Sequence, residues 1–286
     1  MVDRRDLKSA ETTAAAAALQ ASFRRHHGEP VDAARVDDAL LLACEIGHDI
    51  FPKTIAHLIQ GRAVVDVGCG NTLYGLVMMA LGARSYVGFD PRLDLSRRNY
   101  RLRRVQKGSI QTDVAVSDLM PLIPGLTYAR EQLLPQGRYD IAVMQAVTEH
   151  VMDLESLMAA IAGALRPGGL VWFLHDSFQS WGGHHEAPHS PRKFDPADPA
   201  HLRFADWAHL TFDPPEDHPF RTNLNRVRLD DLRRIVERHF TLRDWTEVRE
   251  SRAVLIRITP EIEARVAPVT PRELRVKHVI CLAERR

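Results

Sequence analysis

Short unbroken apolar runs alternate along this chain with stretches whose apolar positions return every three or four residues. The runs read as strands buried on both faces, and the spaced stretches as helices packed on a sheet. Ala63–Val67 is the first run, and Ser85–Phe89, Tyr139–Gln145 and Leu170–Leu174 repeat it. Ile110–Val116, with polar residues inside it, is predicted as a strand between the second and fourth. Helices are predicted over Leu73–Leu81 and Asp153–Leu165, the latter stopped by Arg166-Pro-Gly-Gly169. Strand and helix in alternation imply parallel strands joined by right-handed crossovers. Residues 1–60 read as helices over Ala14–Arg25, Asp32–Ile46 and Pro52–Ile59, with Gly28-Glu-Pro30 breaking the first. Periodicity disappears from Asp176 to Arg228, a stretch with Gly182-Gly183 and seven prolines. It returns with a helix over Asp230–His239 and strands near Thr241–Val248 and Lys277–Ala283. The predicted fold is α/β, a mostly parallel seven-stranded sheet with helices on both faces. Residues 1–60 form an N-terminal helical cap, and 61–286 one domain with a lid insertion, 176–228, after the fifth strand. So long a segment without periodicity is usually functional or disordered, and its aromatic residues favour a packed substrate lid.

At 286 residues, 45% hydrophobic and 26% charged, the chain has the make-up of an ordinary globular protein. A net charge of +1 supplies no general attraction for nucleic acid or an anionic membrane. Arg97, Arg98, Arg101, Arg103 and Arg104, expected on a helix after the second strand, read as a solvated face rather than an anion site. Nucleic acid is therefore not an expected partner. Cys44, Cys69 and Cys281 are odd in number and scattered, which excludes a disulfide framework and makes a cytoplasmic location the expectation. No apolar run approaches the roughly 18 residues of a membrane span. The alanines of 14–18 follow Arg4, Arg5 and Lys8, but Asp3, Asp6 and Glu11 interrupt any leader-like pattern. Nothing in the composition sets an oligomeric state.

The chemistry begins at Val65-Asp-Val-Gly-Cys-Gly70 and at Val87-Gly-Phe-Asp90. A glycine turn after a first strand lets backbone approach a ligand, and an acid ending the second strand accepts from ribose hydroxyls. A dinucleotide fingerprint wants a third glycine where Leu73 stands. Asp66 would repel a pyrophosphate and suits a cationic amine, so the turn prefers S-adenosylmethionine to a nicotinamide or flavin. Tyr139-Asp-Ile-Ala-Val-Met-Gln-Ala-Val-Thr-Glu-His-Val151 and Leu165-Arg-Pro-Gly-Gly-Leu170 extend the pattern. With these in order, the chain from Val64 to about Asp176 resembles class I S-adenosylmethionine-dependent methyltransferases, whose fold is Rossmann-like. The resemblance implies that Asp66, Gly68 and Gly70 line the methionine part of the cofactor and that Asp90 binds the ribose. It sets Gln145 beside the methionine and sulfonium, and makes S-adenosylhomocysteine the product. The third-strand acid near the adenine falls to Ser117-Asp118, with Asp113 as the alternative. Thr72 stands where many members have a further glycine, so Asn71-Thr-Leu-Tyr-Gly75 must build a different first helical turn. The plainer reading of these residues is a turn at Gly68 and Gly70 and a helix cap at Asp90 before Pro91.

Methyl transfer from a sulfonium is an in-line displacement in which alignment and water exclusion contribute roughly 7–11 kcal/mol. A hydroxyl acceptor must also lose its proton to a histidine or carboxylate. His150, just past the fourth strand, is a candidate for that base, with packing at the cofactor edge as the alternative. Seven of the fourteen histidines lie between His175 and His218. His184 and His185, after the Gly182-Gly183 pair, are expected to swing over the acceptor; solvated loop histidines are the alternative. His185-Glu-Ala-Pro-His189 has the letters of the zinc-protease motif, but Pro188 denies it the helix that motif needs. Some of His175, Asp176, His184, His185 and His189 would hold a divalent ion that polarises a hydroxyl, although a metal-free lid is favoured. Gly182-Gly-His-His185, Trp207-Ala-His-Leu210, Thr259-Pro-Glu-Ile262 and Pro271-Arg-Glu-Leu-Arg-Val-Lys277 resemble methyltransferases of sugar and cell-surface glycan pathways. That implies O-methylation of a sugar, glycan or polyhydroxylated small metabolite, with Trp181 and Trp207 as stacking faces. The rival readings are a metal-assisted small-molecule methyltransferase and a non-catalytic cofactor-binding protein.

Overall fold

The computed structural model describes residues 7, 9–103, 108–131, 134–188 and 190–286. Its strands are β1 Ala63–Val67, β2 Ser85–Phe89, β3 Asn99–Arg101, β4 Ser109–Gln111, β5 Leu126–Ala129, β6 Tyr139–Gln145, β7 Leu165–Asp176, β8 Phe240–Arg249 and β9 Val276–Arg285. One seven-stranded sheet has the order β5-β2-β1-β6-β7-β9-β8, and β3 and β4 pair as a separate hairpin. β1 runs parallel to β2 and β6, and β2 to β5. β9 is antiparallel to both β7 and β8. The fold is the expected α/β, Rossmann-like sheet. The chain divides into two compact units, Met1–Val143 with Ala164–Gly169, and Met144–Gly163 with Leu170–Arg286.

In the first unit, α1 Ala10–His27, α2 Ala33–Ile46, α3 Ile50–Thr54 and α4 Ala56–Ile59 precede the sheet. α1 starts where Ser9 and Thr12 exchange side-chain and backbone hydrogen bonds, and Asp32 caps α2 by accepting from Arg35 N at 3.0 Å. These helices buttress α5, Tyr74–Ala80. His27 Nε2 lies 3.0 Å from the Met79 carbonyl, and buried His48 accepts from Leu73 N through Nδ1 at 3.0 Å. Burial, with Arg103 second, lowers the His48 pKa to about 3 and leaves the neutral ring this acceptor role requires.

Two predicted elements are corrected. The third parallel strand is β5, whereas 110–116 divides between β4 and α6, Val116–Leu119. The expected arginine helix is a run of turns leading into β3, and Arg104 lies outside the described residues. Asp90 Oδ1 accepts from Arg92 N at 2.8 Å and Asp94 Oδ1 from Ser96 N at 3.1 Å, so successive side-chain turns satisfy the backbone in place of a helix.

Gly75 performs the close packing that Leu73 was too large to provide. A Cβ there would lie 2.6 Å from Tyr86 Cδ1 and 2.7 Å from the Tyr128 hydroxyl. Tyr128 accepts from Gly75 N at 3.0 Å, and Tyr86 is fully buried, so neither ring has room to retreat. Gly75→Ala would gain about 1 kcal/mol of helix propensity. Overpacking, at roughly 1–3 kcal/mol, is expected to outweigh that gain. Urea denaturation should show a lower midpoint, and an unchanged or higher midpoint would refute the argument.

The second unit contains α7 Leu154–Ala164, then α8 Pro199–Leu202, α9 Pro219–Thr222 and α10 Leu229–His239. α10 buries Leu229, Leu232 and Val236 and carries Asp230 and Asp231 in its first turn, with Arg238 and His239 in its last. The 176–228 segment is packed. Phe178, Phe204, Phe220 and Leu224 form one buried cluster, and Trp181 and Trp207 join Val254, Val266 and Leu274 in another. Trp181 and Trp207 are therefore not sugar-stacking faces: they are 1% and 0% exposed, and the Trp207 indole donates to the Gln179 carbonyl at 3.0 Å.

Candidate active site

The first unit assembles the glycine turn from β1 and β2. Gly68 and Gly70 adopt φ values of 76° and 57°, a region that L side chains enter only at a cost. Gly68 N donates to the Phe89 carbonyl at 2.8 Å, and Gly70 N to Asp90 Oδ2 at 3.1 Å. One carboxylate thus ties the turn to the end of β2. A Cβ on Gly70 would meet nothing nearer than Thr72 Cγ2 at 4.0 Å, so the turn faces open space of the kind a ligand fills. Asp66 is buried and accepts from the Tyr86 hydroxyl at 2.8 Å. Burial pushes its carboxyl up to about 7; Tyr86 opposes the shift and Asp90 adds to it. Thr72, at the departure from the family pattern, donates to the Cys69 carbonyl at 3.0 Å and closes the turn internally.

Ser117 and Asp118 stand on α6 and do not themselves end a strand of the sheet. Ser117 N donates to the Leu95 carbonyl at 3.1 Å, and Asp118 pairs with Arg35 at 2.7 Å and Arg98 at 3.0 Å. The position after the third sheet strand belongs instead to Arg130 and Glu131, beyond Ala129. Asp113, the other candidate, is exposed. Gln145 is the half-buried last residue of β6. Ala146 follows it at φ 55°, a left-handed conformation that costs a non-glycine residue about 1–2 kcal/mol and turns the chain sharply out of the strand.

The second unit gathers a cluster around the 3₁₀ turn Thr148–His150. Asn225 holds this turn by donating to the Thr148 carbonyl at 2.6 Å and the Val151 carbonyl at 2.8 Å. His150 Nδ1 lies 2.9 Å from the Asn223 carbonyl, an acceptor only, so Nδ1 bears the proton and Nε2 of the neutral ring is left as a base. His185 packs edge-on against it with ring centroids 5.1 Å apart. Glu149 is 3% exposed, and neither carboxylate oxygen closes a well-formed hydrogen bond, although the Glu149 and Asp176 amides and the Thr148 hydroxyl come near enough to oppose part of its pKa rise. Its oxygens lie 4.0 Å from His150 Nε2 and 4.0 Å from His175 Nδ1. Burial first, and Asp176 second, push the Glu149 carboxyl up to about 8. His175, buried beneath, is held neutral with its pKa near 3 by burial, and its Nδ1 lies 2.9 Å from the Thr148 hydroxyl.

His184 and His185 part company. His185 joins the Glu149 cluster, whereas His184 is 2% exposed, packs on Phe204 and His209, and accepts from Glu186 N at 3.1 Å. Gly183, the second of the preceding glycine pair, is enclosed by packed backbone. A Cβ on Gly183 would collide with the backbone carbonyl oxygens of both Ser177 and Phe178. Gly183→Ala is accordingly expected to destabilise the second unit by about 3 kcal/mol, the upper end for overpacking, because backbone cannot step aside. Limited proteolysis should then cut within 176–228 faster than in the wild type, and equal rates would refute it. Residues 185–188 are not helical, in keeping with rejection of the zinc-protease motif, and His189 lies outside the described residues. Glu149 and Asn225 have no sequence signal of their own: Glu149 stands within Thr148-Glu-His150, where the histidine offers the more obvious chemistry, and Asn225 lies in a stretch without periodicity.

A glycine turn ending β1 and an acid ending β2, on a sheet of this order, define a class of protein. The chain belongs to the methyltransferase-domain family, whose profile matches residues 39–239. It is a class I S-adenosylmethionine-dependent methyltransferase, with S-adenosylmethionine as cofactor and S-adenosylhomocysteine as product. Among its relatives, the ubiquinone biosynthesis O-methyltransferase of Bordetella avium (strain 197N) is 33% identical over 121 residues, 42% of this chain and 45% of that protein. A protein of the same description from Rhizobium etli is 35% identical over 132 residues, 46% of each chain. The chain spans about half the length of these curated relatives. The crystal structure of an S-adenosylmethionine-dependent methyltransferase from Mesorhizobium loti aligns with 82% of this chain and 96% of its own, at 20% identity and a TM-score of 0.48. No helix among the described residues is long and apolar enough to cross a membrane.

Proposed function

We propose that this methyltransferase acts on oxygen, methylating a hydroxyl of a small-molecule acceptor with His150 as the base. The observation that carries the reading is the fixed tautomer of His150, whose Nδ1 is committed to the Asn223 carbonyl while Nε2 is left to take a proton. When bound, S-adenosylmethionine supplies a methyl group on a sulfonium, so that a carbon–oxygen bond forms as the carbon–sulfur bond breaks. Gly68 and Gly70 would cradle the cofactor with backbone, Asp90 would accept from the ribose hydroxyls, and Arg130 with Glu131, past the end of β5, would take the adenine side rather than Ser117 and Asp118. Asp66 would serve the methionine end, where a cationic amine would favour the ionised form of its buried carboxyl. His150 would accept the hydroxyl proton at Nε2, and the imidazolium so formed, 4.0 Å from Glu149, would favour the ionised carboxylate that burial otherwise opposes.

Oxygen as the target also accords with the relatives, which are ubiquinone biosynthesis O-methyltransferases. A sugar or glycan hydroxyl rests on short motifs alone once Trp181 and Trp207 are counted as core. The test is transfer of labelled methyl to two acceptor panels, one of sugars and glycans and one of phenols and catechols of the kind quinone biosynthesis uses. Label on oxygen in either panel is the expected result and selects the acceptor class. Transfer only to nitrogen or carbon, or none at all, would sink the reading.

A further inference from the structure

We propose that Glu149, Asp176 and His185 form a binding site for one divalent cation. The site rests on the acceptor reading above for its chemical use, but its existence is argued separately. One ligand atom from each of the three residues lies within 4.8 Å of the other two. Ligands about 2.0–2.2 Å from a common ion stand roughly 3.0–3.6 Å apart in tetrahedral or cis-octahedral sites, so side-chain rotations must draw the set in by up to about 1–2 Å. Two carboxylate oxygens and an imidazole nitrogen suit a first-row ion such as Mn²⁺ or Zn²⁺, with positions left open for water or an acceptor oxygen.

The second observation is Glu149 itself. A buried carboxylate with both oxygens lacking well-formed hydrogen bonds is costly, and Asp176 beside it adds like charge. Among the described residues, the ionisable groups facing Glu149 are Asp176, His150, His175 and His185, none of them a permanent cation. A divalent ion would satisfy both carboxylates together. The three ligands also come from different places: the turn after β6, the end of β7, and the left-handed His185 of the 176–228 segment at φ 59°. Such an ion would fasten that segment to the strand end and lower the pKa of a hydroxyl bound beside His150.

The full chain, stripped with EDTA, should be titrated with Mn²⁺ and separately with Zn²⁺ by calorimetry, and Mn²⁺ binding followed by paramagnetic resonance. One ion per chain is expected, with affinity reduced at least about tenfold in each of Glu149→Gln, Asp176→Asn and His185→Ala. Saturating Mn²⁺ should raise the wild-type Tm by about 5 °C. Glu149→Gln should lose that rise while its metal-free Tm stays close to the wild type's, because the amide has the shape of a carboxyl that burial already favours in its neutral form, which controls for misfolding. Absence of binding by the wild type, or unchanged affinity in Glu149→Gln, would overturn the site. Binding is read with the ion alone, so a chain that takes up Mn²⁺ but methylates only nitrogen or carbon would sink the O-methylation reading and leave the site intact.

Discussion

His150→Ala is expected to lower kcat by about 10²–10⁴-fold, the usual contribution of a positioned general base. The Asn223 carbonyl fixes the ring and its tautomer, so the wild type has Nε2 ready to accept before the acceptor arrives. Alanine leaves the hydroxyl proton to water, and the loss should fall on kcat more than on KM because a methyl-sized residue removes little acceptor binding. Calorimetry with S-adenosylhomocysteine separates this from the rival reading of His150 as packing at the cofactor edge. Base catalysis predicts unchanged S-adenosylhomocysteine affinity beside the kcat loss. Weakened affinity with kcat retained would assign His150 to packing.

The parts of this protein that were legible in its sequence are those whose demands are local. A turn that enters positive φ needs glycine at Gly68 and Gly70, and a doubly buried strand needs the run Ala63–Val67, so both announce themselves. β5 was hidden because it is short and only Leu126 and Tyr128 of its four residues are buried. Ile110 and Val116 offered a stronger apolar signal nearby and drew the strand to themselves. The arginine-rich stretch after Asp90 has ordinary helix formers, but Asp90 and Asp94 capture backbone amides and the helix never starts. Adjacent letters misled at His184 and His185. A left-handed backbone at His185 sends one ring to Glu149 and leaves the other against Phe204 and His209, a division set by packing over long sequence distances. Glu149 was read as part of a motif, yet its burial without well-formed hydrogen bonds appears only when β7 and the 176–228 segment are folded around it.

Asp90→Ala is expected to weaken S-adenosylhomocysteine binding by about 100-fold, close to 2.7 kcal/mol. A hydrogen bond to a charged acceptor contributes about 1.5–3 kcal/mol, and a carboxylate on the ribose can accept two, partly offset by water when it is removed. Asp90 also holds Gly70 N and Arg92 N, one on each oxygen, so alanine slackens the turn as it removes the ribose contact. Asp90→Asn separates these effects: one amide oxygen can replace only one of the two acceptors, so an intermediate loss is expected. Asp118→Ala provides the contrast, since Arg35 and Arg98 already engage its carboxylate on α6. If the adenine lies at the exit of β5, Asp118→Ala leaves affinity unchanged; a tenfold loss, read by the same calorimetry, would return the adenine contact to Asp118. Equal affinities for Asp90→Ala and the wild type would mean that the carboxylate ending β2 only ties the turn, and that ribose recognition lies elsewhere.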